Sequence, residues 1–370
     1  AHVPQALLAT STHDTKRSED VRARLNVLSE LPDEWRSALR QWSRLNRRHG
    51  QSVRGERLPD RNDEYHLYQA IVGAWPLELL EADDRAGFAA FVERLQAYML
   101  KAVREAKLHT SWITQDAAYE AALRAFIAAL FAGPRRNPFV QAARPFVRRI
   151  AAWGLVNSLA QTLLKLTCPG VPDLYQGTEL WDFSLVDPDN RRPVDYARRE
   201  SALRELRRRI SDGPGDTATL ASELLAAKED GRVKLLVTHC ALTLRRRRPA
   251  LFGPEASYLP LEASGERAEH VIAFARRQGE AELIVAVPRL VARLARASKR
   301  SSEAPPLGEV WGETRLVLRG SVEGYRYRDA FTGATVEARA EAGAATLPLQ
   351  RLFRTLPIAL LERTGSPGRH

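Results

Sequence analysis

The order strand, polar loop, helix occurs twice in this chain, and no other feature narrows its fold so far. QALLAT, a short apolar run, leads into the polar STHDTKR and then a helix that Ser18 is placed to cap, with Glu19 and Asp20 in its first turn. Val21, Leu25 and Leu28 give that helix one apolar face. The order returns where Pro169-Gly170 opens VPDLY, followed by the loop QGTELWDFSLVDPDNRRPVD and two predicted helices. The second of these carries Val233, Leu236, Val237, Cys240 and Leu244 on one face. Such units are what a parallel α/β barrel repeats, with functional groups at the C-terminal ends of its strands.

Between the two units the pattern is helical. Trp35, Leu39, Trp42 and Leu45 recur at helical spacing, as do Phe88, Phe91, Leu95 and Met99, and Tyr119, Leu123 and Ile127. These stripes read as core. Gly133-Pro134 and Asn137-Pro138 punctuate the stretch before the apolar helix FVRRIAAWGLVNSLAQTLLKLT. From about Pro254 short alternating runs separated by Gly take over: HVIAFARR, AELIVAVP, TRLVLRG, GYRYRDAF, TGATVEAR, AATLPL and IALLER. They predict an all-β module with SKRSSEAPPLGE as a loop within it. There is no internal repeat.

Several function classes are disfavoured. The net charge of +11 invites a nucleic-acid reading. However, the positive charge is mostly Arg, spread through helices between Glu and Asp, and its densest run, Arg245 to Arg248, suits a helix C-terminus. No helix-turn-helix, zinc-finger or aromatic RNA-binding pattern accompanies it, so no nucleic-acid partner is expected. No apolar stretch reaches bilayer length, and the first residues lack a basic n-region and cleavage pattern, so a cytoplasmic protein without a membrane partner is expected. Cys168 and Cys240 form no C-x-x-C pair and sit in apolar surroundings, as core thiols do. P-loop, G-x-G-x-x-G, H-E-x-x-H and G-x-S-x-G motifs are lacking, and neither a metal nor a cofactor is expected.

Two polar segments hold the chemistry. His13 and Asp14 follow a strand end, which would project an imidazole and a carboxylate together. Vicinal sugar hydroxyls each donate and accept, and a carboxylate can take two of them and hold more strongly as the ring becomes oxocarbenium-like. The second segment, from Gln176 to Asp195, holds Glu179, Asp182, Asp187, Asp189, Asn190, Arg191 and Arg192 among Tyr175, Trp181 and Phe183. Polar groups beside aromatics suit a polyhydroxylated ring, whose C–H face stacks while its rim hydrogen-bonds. Ion pairs between Asp187 and Arg191 or Arg192 that merely fix a long loop are the other reading.

Four strings, LLATSTHDTKRSEDVRAR, AKLHTSW, NSLAQTLLKLTCPGVPDLYQGTELWDFSLVDPDNRRPVDY and LPLQRLFRTLPIALLER, together resemble the maltooligosyl trehalose synthase family of the α-amylase superfamily, glycoside hydrolase family thirteen. The likeness runs from the first residues to the last. THD resembles the superfamily's strand-seven motif, with Thr12 in place of the usual Asn, and DLYQGTE resembles strand eight.

The resemblance implies an α/β fold class: the C-terminal portion of a (β/α)8 TIM barrel with a long helical insertion and an all-β C-terminal domain. Residues 1–28 would be strand seven and its helix, 29–166 the insertion, 167–253 strand eight and its helices, and 254–370 the antiparallel β domain. Asp14 is implied as the third catalytic carboxylate and His13 as its sugar-binding neighbour. Lys16, Arg17, Glu19, Trp112, Glu179, Asp187, Asn190, Arg191 and Arg192 are the further candidates for holding a maltooligosaccharide or α-glucan. The implied reaction is an intramolecular transglucosylation that turns a reducing-end α-1,4 linkage into α,α-1,1. It is a retaining mechanism that must exclude water while the released glucose turns. The family's nucleophile Asp and acid/base Glu belong to strands four and five, and neither motif is present. GYRYRD, ending at Asp329, mimics the nucleophile motif but falls in the β module. Either an N-terminal barrel portion lies outside this chain or the product is degenerate, and the isolated chain is expected to be inactive. Another α-amylase-superfamily hydrolase and a non-catalytic glucan-binding fragment are the alternative readings.

Overall fold

The structure is a computed structural model that describes residues 5–53, 55–211, 214–298, 303–318, 323–341 and 343–365. Residues 1–4 of the first predicted segment, 299–302 of the predicted loop and 366–370 of the last segment lie outside the described residues. The chain begins with β1 (Leu7–Ala9), α1 (Glu19–Val27), α2 (Pro32–Asn46), β2 (Gln51–Val53) and β3 (Glu56–Leu58). Then come α3 (Arg61–Ala74), α4 (Arg85–Ala106), α5 (Ala117–Phe131), α6 (Pro138–Thr167) and β4 (Val171–Asp173). Three helices follow, α7 (Tyr196–Ser211), α8 (Pro214–Ala226) and α9 (Arg232–Arg247), where two were predicted. The rest is β5 (Ser257–Ser264), β6 (Val271–Gln278), β7 (Ala281–Pro288), α10 (Val291–Ala297), β8 (Arg315–Leu318) and β9 (Arg326–Asp329). It ends with β10 (Thr335–Glu337), β11 (Arg339–Glu341), β12 (Ala344–Pro348), α11 (Leu349–Leu352) and β13 (Ala359–Gly365). Among the described residues no helix is long and apolar enough to cross a membrane.

The chain divides into two compact units. A helical unit comprises Thr12–Gly154 and Asp182–Arg192, and a sheet unit comprises Ala1–Ser11, Leu155–Trp181 and Pro193–His370. In the helical unit the predicted stripes are indeed core: Trp42, Leu95, Met99, Leu123 and Ile127 are fully buried. Trp75 is surrounded by Phe88, Phe91 and Phe131 with ring centroids 5.7–5.9 Å away. Edge-to-face and tilted contacts of this kind add specificity to burial, since each ring edge meets a neighbour's negative face. The apolar helix predicted from Phe146 starts earlier, at Pro138, and carries Pro145 inside it.

Arg24 of α1 shows how tightly this unit is built. It is fully buried, and its Nη1 donates to the carbonyls of Gly73 (3.2 Å) and Trp75 (2.6 Å). Its guanidinium carbon lies 3.5 Å from the Phe183 ring centroid. Burial pulls its pKa down, to about 9, while Asp20 opposes the shift. Gly154 lets the helix behind approach: a Cβ there would stand 2.5 Å from Arg24 Cγ and 2.9 Å from Arg24 Cα. Gly154→Ala is therefore expected to destabilise, because an overpacking cost of roughly 1–3 kcal/mol exceeds the helix-propensity gain of about 1 kcal/mol. A fall in the urea midpoint checks this, and a rise would mean that Arg24 yields.

In the sheet unit, β1 and β4 pair in parallel, with Leu8 opposite Pro172. The C-terminal strands form one nine-stranded sheet in the order β10-β9-β13-β7-β6-β5-β8-β12-β11, antiparallel throughout. AELIVAVP is apolar at nearly every position because both faces of β7 are covered. Leu283, Val285 and Val287 join the core formed with α8 and α9, whereas Ile284 and Ala286 join a second core around Trp311, Leu316 and Phe353. Successive side chains point to opposite faces, so strict alternation of polar and apolar residues would have left one core unfilled. Strands β5 and β11 and helix α10 were not predicted. Cys168 and Cys240 are unbridged, and burial raises both thiols, Cys240 to about 12.

Candidate functional site

The loop after β1 is organised by two threonines. Thr12 N–H donates to Thr15 Oγ1 (2.8 Å), Thr15 N–H to the Thr12 carbonyl (3.2 Å), and Asp14 N–H to Thr12 Oγ1 (3.3 Å). This small turn presents His13 and Asp14 outward, with His13 Nε2 3.2 Å from Asp14 Oδ2 and side chains 65% and 78% exposed. A carboxylate left so accessible is able to take hydroxyl ligands.

The second polar segment reaches the first within the helical unit. Asn190 Nδ2 donates to the carbonyls of His13 (2.9 Å) and Thr12 (3.4 Å), fixing the backbone that carries the pair. Arg17 and Leu185 form a β-bridge, and Ser18 N–H donates to the Ser184 carbonyl at 3.0 Å. Ser18 does occupy the N-cap position of α1, but its hydroxyl makes no cap bond and donates to the Asp182 carbonyl instead. Asp20 is fully buried, and its Oδ2 accepts from Asp182 N–H at 2.7 Å. Residues 12–20 and 182–192 are thereby fastened together.

Helix α4 anchors the second segment. Arg94 grips Asp189 through two nitrogens, Nε to Oδ1 at 2.9 Å and Nη2 to Oδ2 at 3.0 Å, and also donates to the Phe183 carbonyl at 2.8 Å. One turn or two further on, Lys101 pairs with Asp187, whose carboxyl it holds below the usual range. Arg191 stands 3.7 Å from Asp187 and is half exposed, and Arg192 lies 3.1 Å from Asp189.

Between these parts the helical unit has an open cavity of about 680 Å3, lined by Lys16, Arg17, His66, Tyr98, Lys101 and Glu105 among others. Lys16 Nζ is 3.0 Å from Glu105, which raises the ammonium pKa through their hydrogen bond. Arg17 donates to Tyr98 Oη (3.3 Å) and to Gln69 Oε1 (3.2 Å). His66 Nε2 lies 2.9 Å from Tyr98 Oη, and burial followed by the charge of Arg17 lowers its pKa to about 4. His66 is thus neutral near pH 7 and able to accept or donate one hydrogen bond. Cations, a neutral imidazole and a phenol around one cavity match the donors and acceptors of a sugar rim.

The remaining sequence-predicted residues scatter. Glu19 is fully buried at the start of α1. Trp112 is 54% exposed, and the Arg104 guanidinium lies 4.9 Å from its ring centroid. Glu179 belongs to the sheet unit, where Arg199 Nε binds it at 3.0 Å. Sequence reasoning missed Arg94, Tyr98, Lys101 and Glu105, although they share one face of α4 at helical spacing, and missed His66 and Gln69 of α3. It also missed Asp60, Asp63 and His109, whose ligating atoms lie within 4.8 Å of one another and could hold a metal ion. Protein contacts already engage them: His109 Nε2 is 2.9 Å from Asp60 Oδ2, and Tyr119 Oη donates to Asp63.

No family model matches the sequence. Among curated proteins, one from Mycobacterium tuberculosis (strain CDC 1551 / Oshkosh), named "Putative maltooligosyl trehalose synthase", is 35% identical over 363 residues, 98% of this chain and 38% of the relative. The solved maltooligosyltrehalose synthase of Arthrobacter ramosus superposes with a TM-score of 0.70 at 38% identity, over 98% of this chain and 39% of that one. A hypothetical maltooligosyl trehalose synthase of Sulfolobus tokodaii gives 0.64 at 30% identity, over 96% and 38%. Along nearly all its length the chain is therefore related to the maltooligosyl trehalose synthases, and it spans about two-fifths of theirs.

Proposed function

We propose that this chain supplies the third catalytic carboxylate and part of the substrate cage of a maltooligosyl trehalose synthase, a glucan isomerase of trehalose biosynthesis. The observation that carries the reading is the fastening of residues 12–20 to 182–192, which presents the exposed His13 and Asp14 while Lys16 and Arg17 line the adjoining cavity. Asp14 would hold sugar hydroxyls and offset the positive charge of an oxocarbenium-like ring. Lys16, Arg17, His66 and Lys101 would hold the released glucose until its anomeric hydroxyl attacks the glycosyl-enzyme, with water kept out. Trp112, Glu179, Asp187, Arg191 and Arg192 remain candidates for glucan contact, Glu19 is withdrawn because it is fully buried, and Asn190 acts by holding the His13 backbone.

In this proposal β1 and β4 are the last two strands of a (β/α)8 barrel, and residues 29–166 form an insertion between them. The parallel pairing supports this, as does the exposure of the apolar Leu7 and Val171, at 74% and 48%, which further strands would cover. The nucleophile and acid/base would come from chain outside these 370 residues, and the protein would work in the cytoplasm.

Product analysis on maltopentaose tests the function. The full-length gene product is expected to make reducing sugar disappear as trehalose-ended product forms, and the 370-residue chain alone is expected to do neither. A rise in reducing sugar would identify a hydrolase, and binding without turnover by the full-length product would identify a glucan-binding protein.

A further inference from the structure

A second cavity, of about 690 Å3, lies wholly inside the sheet unit, where α7, α8 and α9 meet β9 and β13. Four arginines line it: Arg247 and Arg248 at the end of α9, Arg328 on β9 and Arg363 on β13. Among the described residues two carboxylates oppose them there. Glu362 is shared between Arg247 and Arg248, with Arg248 Nε 2.6 Å from Oε1. Asp329 is buried and turned back on its own loop, where it accepts from Phe331 N–H (2.8 Å) and Thr332 N–H (2.9 Å). Arg363 is engaged elsewhere: one nitrogen lies 3.0 Å from Glu280, and its guanidinium carbon lies 4.6 Å from the Tyr325 ring centroid. Arg328, itself exposed, finds no acceptor among the described residues, and neither does His239, which also lines the cavity. Burial, followed by the charges of Arg207 and Arg246, lowers the His239 pKa, so its imidazole is a neutral hydrogen-bonding group at pH 7.

Among the described residues the excess of guanidinium over carboxylate calls for an anion. The C-terminal dipole of α9 places about half a negative charge near the same end, which two whole positive charges in its last residues outweigh. Guanidinium forks match phosphate oxygens two at a time, and a concave site of this volume fits a small molecule rather than a nucleic-acid backbone, which needs an extended stripe. Thr217 and Thr243 add hydroxyls to the wall. We infer that this cavity binds a phosphorylated sugar of hexose-phosphate size, with Arg328, beside Arg247 and Arg248, on the phosphate and His239 on a ring hydroxyl.

Calorimetric titration of the protein with glucose 6-phosphate, glucose and inorganic phosphate tests the inference. Glucose 6-phosphate is expected to bind with a Kd below about 1 mM, glucose not to bind, and inorganic phosphate to bind at least tenfold more weakly than the sugar phosphate. Arg328→Gln, which removes a surface guanidinium without a protein partner, is expected to weaken binding at least tenfold with an unchanged thermal midpoint, and Arg328→Lys to restore part of it. His239→Gln is expected to weaken the sugar phosphate but not inorganic phosphate. Absence of binding, equal affinity for glucose or for inorganic phosphate, or indifference to Arg328→Gln would overturn the assignment.

Discussion

Arg94→Ala is expected to lower the stability of the helical unit by about 3 kcal/mol or more, the cost of leaving a buried charge without its partner. The Arg94 side chain is 17% exposed and that of Asp189 only 7%. Two nitrogens of one guanidinium meet two oxygens of one carboxylate, and Asp189 Oδ2 also accepts from Leu185 N–H at 2.8 Å. Removing Arg94 abandons a desolvated anion and strips the Phe183 carbonyl of its donor. Arg192, 3.1 Å from Asp189 but 56% exposed, offsets only part of this, because solvent screens it. Arg94→Met with Asp189→Asn should recover much of the loss by removing both charges together. Urea unfolding followed by tryptophan fluorescence reads the change, and a loss below about 1 kcal/mol would show that Asp189 finds water.

Arg94 also marks where sequence reading stopped. The apolar stripe Phe88, Phe91, Leu95 and Met99 identified α4 as a core helix, and the polar stripe Arg94, Tyr98, Lys101 and Glu105 stands on the same helix at matching spacing. That second stripe carried a signal, since a merely solvated face has no need of a tyrosine. Its partners were hidden by distance along the chain: Arg94 meets Asp189 across 95 residues and Lys101 meets Asp187 across 86. Periodicity reports which face is buried but not what faces it.

Local signals were legible where a few neighbouring residues decide the structure. The strand at Leu7–Ala9, the helix after Ser18 and the basic last turn of α9 all follow from adjacent residues. Ser18 shows the limit: its position was right, but its hydroxyl serves a carbonyl 164 residues away instead of the helix. Glu19, expected both in the first helical turn and as a glucan contact, and Asp20 are fully buried, and Asp20 accepts from the second loop at Asp182 N–H. In the sheet, β5 went unread because Pro260 interrupts its pattern, and β6 and β7 were read as alternating runs. That they have two covered faces needed the third dimension.

Asp14→Asn in the full-length gene product is expected to reduce turnover on maltooligosaccharides at least roughly a hundredfold while leaving the unfolding midpoint unchanged. The turn that carries Asp14 is held by Thr12, Thr15 and the Asn190 clamp, none of which uses the Asp14 carboxylate. That carboxylate is 78% exposed, and its close ionic neighbour is His13, itself 65% exposed. An amide of equal size therefore keeps the fold and removes only the charge. If the charge holds sugar hydroxyls and offsets a developing oxocarbenium ion, its loss should cost about 2.7 kcal/mol or more at the transition state, a hundredfold in rate. A ground-state binding role would instead raise KM with kcat intact. Asn190→Ala supplies the contrast: it frees the backbone of His13 without touching the charge, so it should lower kcat by a smaller factor. A well-folded Asp14→Asn enzyme with near-native turnover would leave Asp14 outside the chemistry, and the loop pair would then be a scaffold alone.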